Sequence, residues 1–366
     1  MRFSLGVAKH WSVAGIIAMC LLSACGGGGS GGDGPIPVPP VAEPTFLPDG
    51  LDGLAVTEIR EHNGWLYAAT HNGLFGKPKG DSNWVSLGLD GFRIESVAVV
   101  DDMRWIAAVF DPIWDGWLNA RLMETFNGGG NWSEVAGDWG GNNPDPEPAF
   151  KLLYDDNAQR LYATGAGVLA ASNDLGKSWQ LLDGQWATGS TTFRALALNR
   201  ANEQVWYGGQ NAIEEFILHR YDLGTGTRES WLRLLPSPAV AIDLGLDSSN
   251  TDRILVSGEG GILQSLDNGQ SWDTPLGDVV HRFYFEVALD PQDPAVLYTI
   301  GWDKDFDNPQ TLILEVSKDY GATWQQHAHD DANLFGGAWS LHATIEDGDT
   351  VLYAGLFRGG VYKIAL

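Results

Sequence analysis

The sequence predicts an all-β fold built from seven similar sheets, and three observations carry that prediction. One short pattern returns along the chain: Ser172-Asn173-Asp174-Leu175-Gly176-Lys177-Ser178-Trp179, then Ser265-Leu266-Asp267-Asn268-Gly269-Gln270-Ser271-Trp272, then Ser317-Lys318-Asp319-Tyr320-Gly321-Ala322-Thr323-Trp324. Weaker copies end at Trp84 and Trp132, and a degenerate one ends at Trp231. The six closing tryptophans are 48, 47, 52, 41 and 52 residues apart, which suits the blades of a propeller better than a helical solenoid. A sharply apolar segment also occurs seven times, beginning at Trp65, Trp105, Leu161, Val205, Ile254, Val296 and Val351. These observations specify a seven-bladed β-propeller of four-stranded blades, with the apolar segments as second strands.

The repeated pattern has the chemistry of a hairpin corner between the third and fourth strands. An Asp, or Asn127 in one copy, folds its side chain onto nearby backbone N–H groups, and the Gly two residues later takes the positive φ that closes the turn. The Trp that follows is a flat anchor able to enter the seam between sheets. These residues resemble the Asp-box, or BNR, repeat of sialidases, sortilin-type receptors, xyloglucanases and photosystem II assembly-factor propellers. The resemblance implies architecture, because the motif serves enzymes and binders alike.

The two ends of the repeat region predict how the ring closes. After Gly360-Val361-Tyr362-Lys363-Ile364-Ala365-Leu366, a third strand, no fourth strand follows. Thr45-Phe46-Leu47-Pro48-Asp49-Gly50-Leu51-Asp52-Gly53 resembles the fourth-strand exit Trp84-Val85-Ser86-Leu87-Gly88-Leu89-Asp90-Gly91. The N-terminal strand is therefore expected to complete the last blade and remove an exposed sheet edge.

The first 43 residues read as address and tether. Arg2 and Lys9 precede an apolar run, Val13 to Leu22, that is too short to span a bilayer. The run closes on Leu22-Ser23-Ala24-Cys25, which resembles the lipobox of bacterial lipoproteins. That resemblance implies a signal peptide at 1–24, lipidation of Cys25, and anchoring in the cell envelope; Gly26 after Cys25 points to the outer membrane. Residues 25–43 form a Gly/Ser/Pro-rich tether, and 44–366 the propeller. Both cysteines, Cys20 and Cys25, fall in the leader region, so no disulfide framework supports the domain. The net charge of −25 argues against nucleic-acid partners.

Candidate functional residues gather on the expected face opposite the corners. Trp114, Trp117, Trp139, Trp186, Trp302 and Trp339 belong neither to corners nor to core strands, and they fall in or beside loops of that face. They form either a binding surface for a glycan or an envelope protein, or plugs over the channel. Arg93, Arg194 and Arg282 each begin an inner strand, and three such guanidinium groups could clamp a carboxylate. Phe92-Arg93-Ile94-Glu95 resembles the F-R-I-P stretch of sialidases but replaces Pro with Glu95. Asp303, Asp305 and Asp307 alternate as in a calcium loop, though the sixth-position Gly is missing and Leu314 stands where a closing Glu would be. The leading expectation is a lipid-anchored, non-catalytic binding or assembly module without a required cofactor. The alternative is a glycan-active enzyme using arginines or paired carboxylates at the channel mouth.

Overall fold

The computed structural model describes residues 43–112, 119–142, 147–186, 191–235, 240–277, 282–332 and 334–366. Its strands form seven antiparallel sheets of four. The innermost strands are Val56–His62, Arg93–Val99, Ala149–Asp155, Thr192–Asn199, Ala241–Leu246, Phe283–Leu289 and Ala338–Glu346. Each lies against the innermost strands of both neighbouring sheets, the seventh against the first, so the ring is complete. We number the blades 1 to 7 in that order.

Closure follows the expected route. Thr45–Pro48 pairs antiparallel with Val361–Ala365, in a register that sets Thr45 opposite Ala365 and Pro48 opposite Tyr362. Phe46 stacks on His329 of blade 6 at 5.1 Å. Just beyond the strand, Asp49 pairs with Lys77, a fully buried ammonium that also faces the rings of Trp84 and Tyr353 at 5.0 and 4.8 Å. A buried charge this well surrounded costs several kcal/mol if its partner is lost, so the latch fixes one closing register.

The second strands are almost wholly buried, as their apolar sequences require. Trp105 and Trp206 lie in this core, whereas Trp65, at the very start of its strand, is 38% exposed. Seven of the eight core clusters among the described residues each fill one seam between adjacent blades, and the small eighth, around Phe110, Phe150 and Ala166, joins blades 2 and 3. Five corner tryptophans pack into the seam shared with the preceding blade, as Trp132 does against Leu74 and Val97 and Trp324 against Leu255 and Val287.

The corners are built alike. Ser172 Oγ donates to Asp174 Oδ1 at 2.8 Å and accepts from Gly176 N at 2.8 Å, while Ser178 gives its N–H to Asp174 Oδ1 and its hydroxyl to Oδ2 at 2.8 and 2.6 Å. The corners at Ser265 and Ser317 repeat these bonds. Two successive left-handed residues make the turn, Leu175 at φ 59° and Gly176 at φ 90°. Only the second is always glycine, which is why the pattern shows one invariant Gly.

Candidate functional site

Every innermost strand breaks its pairing register once, near its start. The shifts fall between Val56 and Glu58, Ile94 and Ser96, Ala149 and Lys151, Phe193 and Ala195, Ala241 and Asp243, Tyr284 and Val287, and Ala338 and Ser340. A β-bulge leaves its extra residue unpaired and turns it away from the regular pleat. The seven bulged segments expel Thr57, Glu95, Phe150, Arg194, Ile242, Phe285 with Glu286, and Trp339, and all of these line one cavity of about 290 Å³.

The second strands make room for the bulges with small residues. Opposite the first residue after each shift stand Ala69, Ala108, Thr164, Gly208, Ser257, Thr299 and Gly355. Gly209 shows how tight the approach is, since a Cβ there would lie 1.6 Å from the Thr192 carbonyl oxygen. Residues from strand starts, Arg93, Thr192, Val240 and Phe283, and from second-strand ends, Gln210 and Trp302, complete the wall. By chain direction these ends lie on the face opposite the corners.

The cavity has two unlike sides. Blades 5 to 7 supply Val240, Ile242, Phe283, Phe285, Trp302, Phe306 and Trp339. Phe285 and Trp339 stack with ring centroids 5.8 Å apart, Trp302 meets Phe285 at 5.6 Å, and Phe306 stands edge-on to Trp302 at 4.7 Å. Trp302 is itself buried, while Phe306 is 44% exposed at the mouth. Blades 1 to 4 supply Thr57, Arg93, Glu95, Phe150, Lys151, Thr192, Arg194 and Gln210, Phe150 being the one ring among them. Asp243 and Glu286, from blades 5 and 6, add two carboxyls to the same lining.

The ionisable groups separate into paired and unpaired sets. Glu95 holds both arginines: Arg93 Nη2 lies 2.7 Å from its Oε2, and Arg194 Nη1 closes on its Oε1. Burial opposes ionisation of Glu95, but Arg194 and Arg93 outweigh it and hold the carboxyl below its ordinary range. Deeper in the channel Glu58 meets Arg60 at 2.7 Å and Lys151 at 2.8 Å, and against strong desolvation the two cations bring its pKa down to about 2. Asp243 receives the Leu244 N–H, and among the described residues its one ion-pair contact is Lys151 at 3.9 Å. Burial raises its pKa, and burial together with the Asp243 charge pushes Glu286 up to about 8.

Some of these polar groups also stitch the ring. Glu286 Oε2 accepts from Leu341 N at 2.6 Å and from Ser340 Oγ at 3.0 Å, and Ser340 Oγ accepts from Ile59 N at 2.8 Å. Glu58 Oε2 accepts from Val97 N at 3.0 Å and from Ser96 Oγ at 3.1 Å, and Ser96 Oγ accepts from Leu152 N at 3.1 Å. The chain of bonds runs from blade 6 through blades 7, 1 and 2 to blade 3.

The structure sorts the residues expected from sequence. Trp302, Trp339, Arg93 and Arg194 reach the cavity. Trp139 and Trp186 do not line it; they pack edge to face at 4.9 Å, and Trp139 meets the corner residue Trp179 at 4.8 Å. Trp114 and Trp117, like Cys25, lie outside the described residues. Arg282 does not join the other arginines, because Asp303 at 2.7 Å and Glu315 at 3.3 Å hold its guanidinium. The calcium loop is not assembled. Asp303 faces Arg282, Asp305 Oδ1 accepts the N–H groups of Asp307 and Asn308 at 3.0 and 2.9 Å, and no metal-sized cluster of ligands occurs among the described residues.

Sequence reasoning passed over Thr57, Glu95, Phe150, Lys151, Ile242, Asp243, Phe285 and Glu286 as a set. Their signal was a four-residue frame, Val-Thr-Glu-Ile, Ile-Glu-Ser-Val, Ala-Phe-Lys-Leu, Phe-Arg-Ala-Leu, Ala-Ile-Asp-Leu, Tyr-Phe-Glu-Val and Ala-Trp-Ser-Leu, starting at 56, 94, 149, 193, 241, 284 and 338. Its first and last positions are buried or apolar, and its second is free to vary.

No protein-family model and no curated protein matches the chain. Solved structures do. The GH74 xyloglucanase from Xanthomonas campestris superposes with a TM-score of 0.63 at 16% identity, covering 87% of this chain and 53% of that one. An ancestral GH74 enzyme gives 0.64 at 13% identity, covering 87% and 48%. The extracellular domain of a hybrid two-component system candidate from B. thetaiotaomicron gives 0.59 at 12%, covering 86% and 40%. The likeness is one of fold. The chain spans about half the length of the GH74 structures it matches, so their activity does not pass to it by similarity.

Proposed function

We propose that this protein is a non-catalytic, glycan-binding propeller of the bacterial cell envelope, anchored through a lipidated Cys25 and receiving its ligand in the cavity opposite the corners. The observation that carries the reading is the uneven lining of the cavity, with five of its six aromatic rings from blades 5 to 7 and most of its hydrogen-bonding side chains from blades 1 to 4. A sugar ring is uneven in the same way, with apolar C–H faces and polar hydroxyl edges. A concave site of this size also suits a small ligand better than a protein surface, which needs a broad contact. The fold neighbours, a xyloglucanase and an extracellular domain, are compatible with this setting. The test is a glycan array probed with the whole chain and with Phe306→Ala, whose partly exposed ring can be removed without opening the core. Specific glycans should bind the native chain and lose signal on the variant. Equal binding by both would place the ligand elsewhere. Loss of metabolic lipid labelling in Cys25→Ser tests the anchor.

A second reading is a glycoside hydrolase, favoured by Asp243 beside a Glu286 that holds its proton at neutral pH. Hydrolases pair a protonated acid with a second carboxyl. Release of reducing sugar from a bound glycan, abolished by Glu286→Gln, would establish it.

A further inference from the structure

We infer that the cavity accepts the terminal unit of a neutral saccharide, lying on the Phe285 and Trp339 rings with its hydroxyls bonded to Asp243 and Glu286. This rests on the binding function proposed above and names the class of ligand.

The arginines do not form an open clamp for an acidic group. Arg93 and Arg194 already share Glu95, and each also lies over an aromatic ring, Arg93 over Phe110 at 5.7 Å and Arg194 over Phe150 at 5.1 Å. What the cavity still offers is carboxyl oxygen. Lys151 binds Glu58 at 2.8 Å and stays 3.9 Å from Asp243, outside hydrogen-bond range. Glu286 uses Oε2 for Leu341 and Ser340, and no hydrogen bond joins its Oε1 to another described residue.

The Asp243 carboxylate repels a sialic or uronic acid, and the nearby cations that could draw one in are already held, Arg93 and Arg194 by Glu95 and Lys151 by Glu58. A cationic ligand meets Arg93, Arg194 and Lys151 in the same space. A hydroxyl satisfies both carboxyls, because it donates to the ionised one and accepts from the protonated one. The groups acting on Glu286 are Asp243 of blade 5, Lys151 of blade 3, Arg60 of blade 1, and Ser340 and the Leu341 N–H of blade 7, with Glu58 of blade 1 holding Arg60 and Lys151. Burial and the Asp243 charge raise Glu286 against the opposing pull of Lys151, the Leu341 N–H and the Ser340 hydroxyl, so the pair presents a donor as well as acceptors.

The shape points to a chain end. At about 290 Å³ the cavity falls at the small limit of ligand pockets. Below it Glu58, Arg60 and Lys151 interlock across the channel, so a polymer cannot thread through.

The experiment is calorimetric titration of the full-length chain with neutral and acidic saccharides that the array identifies, each also with its terminal hydroxyls methylated. Neutral chain ends should bind, methylated ends should not, and acidic ones should be at least about tenfold weaker, the loss expected when hydrogen bonds to a charged acceptor are replaced by repulsion. Asp243→Asn should weaken neutral binding about tenfold and reduce the discrimination against acids. Should that variant fold poorly, Glu286→Gln, which keeps the acceptor for Leu341, replaces it and should reduce the preference for neutral over methylated ends, an unchanged preference overturning the inference. Tighter binding of acidic saccharides, or native affinity in a folded Asp243→Asn, overturns the inference and leaves the binding function standing. No binding by any saccharide on the array overturns both.

Discussion

Blades 1 to 6 carry two irregularities each, a corner joining the outer strands and a bulge in the innermost strand, blade 7 carries the bulge alone, and the two repeat in opposite ways. At the corners of blades 3, 5 and 6 the residues repeat: Ser172, Ser265 and Ser317 make the same bonds, and so do Asp174, Asp267 and Asp319. At the bulges the backbone repeats seven times while the expelled residue is Thr, Glu, Phe, Arg, Ile, Phe or Trp. The corner side chains build the turn, so their identity is fixed by its geometry. The bulge only aims a side chain, and the partner strand meets its steric demand with a small residue. Uniform sequence therefore marks architecture here, and varied sequence on uniform backbone marks the site.

The largest effect should come just beyond a bulge, where one residue is both channel wall and ring stitch. Glu58→Gln leaves Arg60 and Lys151 without their anion and should cost about 3–5 kcal/mol in urea unfolding at pH 7. The sign with pH is definite. Glu58 has a folded pKa near 2, so its contribution is present above the unfolded value of 4.5 and disappears as pH falls toward 2. Glu286 behaves oppositely: with a folded pKa near 8, its contribution is full below 4.5 and is lost as pH rises toward 8. Glu286→Gln should therefore match the native protein near pH 4 and gain on it by pH 8. Parallel pH profiles for the two variants would contradict the division of the channel into paired and unpaired acids.

A corner should follow. In Gly269→Ala the new Cβ sits at φ 89° and 2.8 Å from the Trp206 and Trp231 rings, and a loss of about 3 kcal/mol is expected with glycan binding intact in the folded fraction. Asp174→Ala, which removes both bonds to Ser178, should cost about 1 kcal/mol, as loss of a cap does, and Asp174→Asn less, since Asn127 already fills that role in blade 2. The Ser178 hydroxyl above all holds Asp174 near pKa 2, so native stability from this corner is lost as pH falls from about 4 to 2, and the Ala variant should lack that step. The smallest stability change belongs to the cavity rim: Phe306→Ala should stay within about 0.5 kcal/mol of native while abolishing binding.

The fold was legible because its signals are local. A turn pattern, an apolar second strand and the matching ends at Thr45 and Val361 each lie within a few residues, and they place the seven sheets and the closing strand correctly. The cavity was legible only in part. Trp302 and Trp339 stood out as tryptophans without a corner, but the same rule swept in Trp139 and Trp186, which pack beside Trp179. A bulge advances the in-and-out alternation of a strand by one residue, so a period of two assigns Glu95 or Phe285 to the wrong side. Ion pairing was beyond local reading as well. Arg194 and Glu95 lie 99 residues apart, and Arg282 finds Asp303 and Glu315 rather than the other arginines because each guanidinium takes the nearest carboxylate in space.

The central claim, that the ligand is met at the bulged side of the ring, is tested most directly by photo-crosslinking in living cells. A benzophenone side chain would replace Phe306 at the cavity mouth or Leu266 on a corner, both exposed in the native protein. Glycan should be captured from position 306 and not from position 266. Capture at 266 alone would contradict the account.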